Sequence, residues 1–474
     1  MAIATLPIPL TNGLYRNVDG TSLNDRDAEL QNCFIDDVGF LRNRPGISLF
    51  QDLSATVGVS HYPVNGVFWW QNKEYAMIAC YGKVLKLTYA SGYITVTDMT
   101  TNGLNLNAVP TFATDGTYAF VTNGGRIIYT DGSANTVFIA DGDCPTTVTH
   151  IAWLDGYLLA NDGTNKFFWS DVNTPLSWNA LNYASAAGDS DPITALKVFQ
   201  REIYLFGANS LEVWANDGVT PFTRQAYYNV GCIAPHSIVY HNQAIYWLSN
   251  NRQVVKMSSG AITPISTAYD KDISMYSSVS DCRGFSVVID GRVFLVFTFA
   301  GADKTLVYSL SDEKWAEWTY YNENTAETSR WLGECVVWSP SWGIHIVGDR
   351  ASSKLGKMSA DVYSDYDDPI RVKRLTGHIS YGSSKLKRSE EIRFRAKRGV
   401  GQIGRVPKMA IRWNTDNAYW SNERHVSLGD TGQSSLVCKL SRLGTFHTKQ
   451  YEIVVTDSVP VAIGEFEEDI TMLR

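Results

Sequence analysis

Cysteine pairs at metal-ligand spacing are missing from this sequence. Its seven cysteines, Cys33, Cys80, Cys144, Cys232, Cys282, Cys335 and Cys438, are odd in number and far apart. That excludes a zinc knuckle and argues against a disulfide framework, so they read as free buried thiols of a reducing compartment. No apolar run reaches the roughly 18 residues that a membrane-spanning helix needs. Met1 to Leu10 holds no basic residue, and Pro7 and Pro9 break its apolar stretch. It therefore lacks the pattern of a secretory signal. No segment carries the Ala/Leu/Glu/Lys periodicity of a long amphipathic helix. Charge is sparse, at 19% of residues, and the net charge of −7 speaks against a general nucleic-acid binder.

Catalytic signatures are absent as well. There is no HExxH, no GxSxG elbow, no Walker A loop and no dinucleotide-binding fingerprint after a strand. The repeated Asp boxes of sialidase-like propellers are also missing. The eight histidines are scattered; His236 and His241 stand five apart, which on a strand puts them on opposite faces. The acidic run Asp365-Tyr366-Asp367-Asp368 lacks the ordered spacing of an EF-hand loop and reads as a solvated linker. The expectation is therefore a non-enzyme with no catalytic residue, no metal and no cofactor. A carbohydrate-active enzyme, such as a depolymerase or sialidase-like hydrolase, is the alternative, because carboxylates far apart in the sequence can converge in the fold without a sequence motif.

What the chain does have is aromatic residues, 25 Tyr, 19 Phe and 14 Trp, together with 37 Gly, in 474 residues. These suit pleated sheets and tight turns. A turn with Gly, Asn or Asp, a short aromatic strand and a second apolar strand recur as one phrase. Its first strands centre on Tyr75, Tyr118, Tyr157, Tyr204, Tyr246, Phe294 and Ile344, at steps of 39 to 50 residues. A period of about 40–50 residues is that of a β-propeller with one four-stranded sheet per blade. Asp115-Gly116, Asp155-Gly156 and Asp290-Gly291 suit hairpins whose backbone takes positive φ.

The ends differ from this middle. Residues 1–62 read as an irregular extended arm, with turn signals at Asn12-Gly13 and Asp19-Gly20 and a Pro45-Gly46 stop. Residues 63–361 read as a propeller of about seven blades. After residue 362 longer alternating strands appear, which predicts a β-sandwich over 362–474. That last part holds 18 Lys+Arg against 14 Asp+Glu, so it is net positive while the remainder is net negative. Its basic residues cluster: Arg371, Lys373 and Arg374; Lys385, Lys387 and Arg388; then Arg393, Arg395, Lys397 and Arg398. On an extended strand Arg393, Arg395 and Lys397 share one face, with Ile392, Phe394 and Ala396 turned to the core. Such a stripe serves as a solvated face, an interface with an acidic neighbour or adaptor, or a contact for DNA phosphates.

Three passages in order resemble the packaged-DNA stabilisation proteins of short-tailed bacteriophages, the tail-hub or nozzle family. They are Asn32 to Ile47, with Gly39, Leu41, Arg42, Pro45 and Gly46; Ser210-Leu211-Glu212-Val213-Trp214 followed by Gly231 to Ser237; and Arg442-Leu443-Gly444 with Tyr451–Val455 and Pro460-Val461. The resemblance implies a virion component assembled in the host cytoplasm. It implies a homo-hexameric ring below the portal and its adaptor that extends the DNA channel and helps retain the packaged genome. Tail spikes or fibres, a needle or plug, and duplex DNA passing without sequence-specific binding are the implied partners. Asn32, Arg42, Pro45 and Gly46 become the expected docking arm, and Arg371, Lys373, Arg374, Arg393, Arg395, Lys397 and Arg398 the expected subunit or adaptor interface.

Overall fold

The computed structural model describes residues 3–8, 10, 28–186, 188–189, 191–218, 221–400, 406–433 and 438–473. The turn signals at Asn12-Gly13 and Asp19-Gly20 lie outside them. The chain is all-β, and its centre is a β-propeller. Six blades are uninterrupted antiparallel four-stranded meanders: blade 1 over 64–98, blade 2 over 111–138, blade 3 over 150–185, blade 4 over 193–228, blade 5 over 239–264 and blade 6 over 283–317. This is one fewer than the seven units traced along the sequence. The remaining radial sheet is composite. Its inner strands Gly333–Ser339, Ile344–Asp349 and Lys354–Ser359 come from the end of the propeller, and its outer strand Gly46–Asp52 precedes blade 1.

Each hairpin forms for a local reason. Asp155-Gly156 and Asp290-Gly291 both have φ near 50° and then 76–90°, the two positive values that a type I′ turn requires. Large side chains then fill the gaps between neighbouring sheets. Trp70, Met77, Val121 and Ile128 pack blade 1 on blade 2. Phe206, Trp247 and Met257 join blade 4 to blade 5. Ile78, Leu85, Ile346 and Leu355 join blade 1 to the composite sheet and so close the ring. No large central core is needed, because each sheet interface is a core of its own.

The segment expected as an extended arm has a different place. Glu29–Gln31, Cys33–Ile35, Leu41–Asn43 and Gly46–Asp52 are strands, and Ile3–Ile8 pairs in register with Phe466–Thr471. Apolar residues of this segment need cover, and two partly built sheets provide it. Leu30, Cys33, Ile35 and Leu41 enter one cluster with Ile392, Ile411, Tyr451 and Phe466.

The C-terminal strands form two facing sheets around that cluster. One runs Cys33–Ile35, Leu41–Asn43, Ala462–Met472, Lys387–Ala396 and Cys438–Ser441. The other runs Glu29–Gln31, Val372–Leu375, Lys449–Val455 and Lys408–Thr415. Glu29–Gln31 also pairs in parallel with Lys314–Glu317, the outer strand of blade 6. Propeller and sandwich therefore share one continuous sheet, so the sandwich is not a bead on a linker. The acidic run expected to be a solvated linker is part of this junction: Asp365 pairs with Ile47 in the strand Gly46–Asp52 and is only 2% exposed.

Candidate functional site at the propeller–sandwich junction

Arg44 organises the junction. Its side chain is fully buried, with the guanidinium 5.8 Å from the centre of the Trp318 ring and 6.0 Å from that of Trp331. Every face of the fork finds an acceptor. Nε donates to Asn32 Oδ1 at 2.8 Å, Nη1 to Pro45 O at 3.0 Å and to Asp365 Oδ1 at 2.9 Å, and Nη2 to Thr319 O and Asp365 Oδ2. A buried bidentate pair with its remaining donors satisfied is the arrangement in which Coulomb attraction can offset desolvation. Asn32 extends the network: its amide nitrogen donates to Thr319 Oγ1 and to the Arg371 carbonyl, and its Oδ1 accepts from Thr319 N at 2.7 Å. Asn32 holds φ at 56°, a conformation Asn tolerates better than most residues. One network thus ties residues before blade 1, after blade 6 and at the start of the sandwich.

The four expected arm residues divide here. Asn32, Pro45 and Gly46 are buried. A Cβ on Gly46 would stand 2.4 Å from the Ser364 carbonyl oxygen and 2.5 Å from that of Val362, so the close approach of two backbones requires glycine. These three are joint residues and offer no docking surface. Only Arg42 reaches solvent, where its Nε donates to Asp36 Oδ2 at 2.5 Å. Partial burial pushes the Asp36 pKa up, but hydrogen bonds from Arg42 and from the backbone N–H of Phe40 and Val38 hold it below the usual carboxylate range.

The seven expected interface cations are not one surface either. Arg374 is buried, and its guanidinium donates to the carbonyls of Leu10 and Glu29. Lys373 pairs with Glu29 and Glu452, and Arg371 lies over the Tyr321 ring at 5.5 Å. The reason is sheet position: Val372–Leu375 has a strand on either side, so Lys373 meets carboxylates and Arg374 meets backbone carbonyls of the same chain. Arg393 is held by Asp469, bidentate at 2.9 Å, and by Glu391. The alternation expected from Ile392 onward is present in the strand Lys387–Ala396, with Ile392 and Phe394 buried and Arg393 and Arg395 turned outward.

Arg395, Lys397 and Arg398 are exposed. Together with Arg42, Phe40 and Ala462 they line a groove of about 500 Å³. Among the described residues no ion pair or side-chain hydrogen bond is found for Arg395 or Lys397. Arg42, expected in the arm, and the end of the basic cluster are therefore brought to one place by the pairing of Leu41–Asn43 with Ala462–Ile463. Sequence reasoning passed over Arg44 and read Asp365 as part of a solvated linker. Arg44 stands directly before Pro45-Gly46, a motif singled out for its turn, and nothing local marks a charge whose partner lies 321 residues away.

Histidine gives a further correction. His236 is not an isolated strand residue but stacks on His150, with ring centres 5.2 Å apart. All seven cysteines are free, and no group of three or more metal-ligating side chains is found among the described residues. No helix is long and apolar enough to cross a membrane.

A closed propeller fused through shared sheet and a buried ion pair to a sandwich is the form of a stiff building block. Residues 7–363 match the family model described as Bacteriophage P22 Gp10, beta-propeller, and the chain belongs to this phage stabilisation family of structural propeller proteins. No curated protein matches the sequence. Solved structures similar to it include the WD40 β-propeller domain of Doa1, at 12% identity and TM-score 0.41, covering 66% of this chain and 96% of that one. A chain of the mitotic checkpoint complex matches at 12% and 0.39, covering 62% and 90%. The extracellular domain of a putative one-component system from B. thetaiotaomicron matches at 11% and 0.45, covering 91% and 62%.

Proposed function

We propose that this chain is the subunit of a phage tail ring, a hub or nozzle of six copies below the portal and its adaptor. The ring extends the DNA channel, helps retain the packaged genome, and carries tail spikes or fibres and a needle or plug. It is a virion component and performs no catalysis. The observation that carries this reading is membership of a phage stabilisation family combined with a propeller locked to its sandwich through Arg44 and Asp365. A ring wall under pressure from packaged DNA needs elements that do not hinge, and a continuous sheet plus a buried ion pair provides such a joint.

The groove of Arg42, Arg395, Lys397 and Arg398 supports an assignment as the subunit or adaptor seam. Arg395 and Lys397, which meet no carboxylate among the described residues, favour an acidic neighbour on a chain of net charge −7. Six copies at −7 each carry −42, so a lumen lined by the acidic remainder repels duplex DNA and lets it pass quickly. Retention is then mechanical, by a constriction or plug. Native mass spectrometry of the full chain mixed with a portal–adaptor complex tests the reading. The expected species is a ring of six chains on the connector; a chain that stays monomeric at all ratios contradicts it.

A further inference from the structure

Between blade 6 and the composite sheet the chain forms a hairpin. Thr319–Asn322 pairs antiparallel with Glu327–Arg330, and these two strands are a sheet of their own. The base of the hairpin is pinned. The Tyr320 hydroxyl donates to Asp368, Arg371 covers the Tyr321 ring at 5.5 Å, and Arg330 Nη1 donates to Glu334 Oε2 at 2.8 Å. The tip has no such support: residues 323–328 are all exposed. Only the Asn322 side chain shapes the turn, its Oδ1 accepting from the N–H of Asn324 and of Thr325. A two-stranded ribbon without a third strand is marginally stable in water, so this tip gains from being covered.

Charge and spacing match this tip to the groove of Arg395 and Lys397. Residues 323–328 hold two acids, Glu323 and Glu327, and no base. Among the described residues no ion pair or side-chain hydrogen bond is found for either acid. Glu327 faces Asn322 across the ribbon, which sets the Cα atoms of Glu323 and Glu327 roughly 6 Å apart. Arg395 and Lys397 stand two apart in extended chain, a separation of about 6.6 Å. Small residues, Thr325 and Ala326, lie between the acids, and the groove offers Phe40, Ala396 and Ala462 beneath its cations. Position decides which chains are involved. The hairpin leaves blade 6 beside the turn at residues 300–303, where the Arg330 N–H donates to Asp303 Oδ1 at 3.1 Å. The groove stands by the opposite turn: Arg42 and Lys397 share a second cavity, of about 400 Å³, with Ile289, Asp290 and Arg292. The eight-residue strand Arg292–Phe299, about 26 Å long, runs between those two turns. No hydrogen bond or ion pair joins tip and groove within the chain, among the described residues.

We propose that the hairpin tip of one copy seats in the groove of the next, Glu323 and Glu327 meeting Arg395 and Lys397. The inference rests on the proposed ring and names the two surfaces that form its seam. Two different patches on opposite ends of a blade make a head-to-tail contact, and such a contact closes into a ring when the rotation between copies allows. The ion pairs set the register and exclude wrong partners, while covering the groove floor adds contact area.

Sedimentation velocity of the full chain mixed with a portal–adaptor complex tests this through charge reversal. Glu323→Lys/Glu327→Lys is expected to weaken ring assembly by at least about tenfold, because like charges then face each other. Its thermal melt is expected to match wild type, since neither side chain has a partner among the described residues. Arg395→Glu/Lys397→Glu is expected to fail in the same way. Mixed in equal amounts, the two variants are expected to recover the ring, because in an alternating ring of six every hairpin meets a groove of opposite charge. Normal assembly of either variant alone, or failure of the mixture, overturns the inference and leaves the ring standing. A wild-type chain that stays monomeric beside the connector removes the ring and the inference with it.

Discussion

Arg44 and Asp365 show what a single buried charge does in this chain. Both are withdrawn from water, and each satisfies the other. Asp365→Asn keeps the shape but leaves the guanidinium uncompensated. We expect it to lower unfolding free energy by about 3–5 kcal/mol, read as a lower urea midpoint; a midpoint within error of wild type would contradict the role given to the pair. His236 makes a different prediction. Burial, then the charges of Lys197 and Arg283, lower its pKa to about 3, and His150 moves in the same direction through burial, His236 and Lys197. An unfolded histidine titrates near 6.5. Between these values the unfolded chain takes up protons that the folded chain refuses, so this contribution is complete above pH 6.5 and is lost as pH falls toward 3. In His236→Gln the fall in stability from pH 6.5 to 4.5 should become shallower, and an unchanged slope would refute the assignment. Neither the ion pair nor the histidine stack was legible in the sequence. Their partners meet only after whole blades have closed, and no spacing rule encodes that.

At the scale of elements, local and distant pairings part company. The blades were legible because each is a meander: turn chemistry and aromatic strands recur within some 45 residues, and register follows from the hairpin. The outward turn of Arg393 and Arg395 was legible for the same reason, since alternation along one strand needs no partner. The first 62 residues were not. Gly46–Asp52 pairs with a strand about 300 positions later, and Ile3–Ile8 with the last strand of the chain. An edge offers hydrogen bonds to any extended segment, so the identity of its partner is a property of the assembled fold. The docking role imagined for this segment changes accordingly. Ile8 and Leu10 are both buried in the sandwich. Removing residues 1–10 should cost about 3–6 kcal/mol, at about 1.5–3 for each of these side chains. Urea unfolding followed by tryptophan fluorescence checks this, and a truncated chain of unaltered midpoint would show that the pairing contributes nothing.

For the whole molecule, composition and periodicity gave the class of architecture, while the join between its parts had to be seen. A continuous sheet from blade 6 into the sandwich makes the two move as one, which is what a wall element requires. Under the proposed function, the exposed groove is the surface through which copies or adaptor chains would meet. The double variant Arg395→Glu/Lys397→Glu should fold with wild-type thermal stability, because neither side chain is paired among the described residues, yet sedimentation velocity should show that it no longer joins the ring. Assembly at the wild-type level would remove the groove from the interface. The measurement that bears most directly on the account is a three-dimensional reconstruction of the tail ring from purified particles. It is predicted to show six copies with the Arg42, Arg395 and Lys397 groove buried at the seam between neighbouring chains or against the adaptor, and acidic residues facing the lumen. A map in which that groove lines the DNA channel, or in which this chain forms no ring, would contradict it.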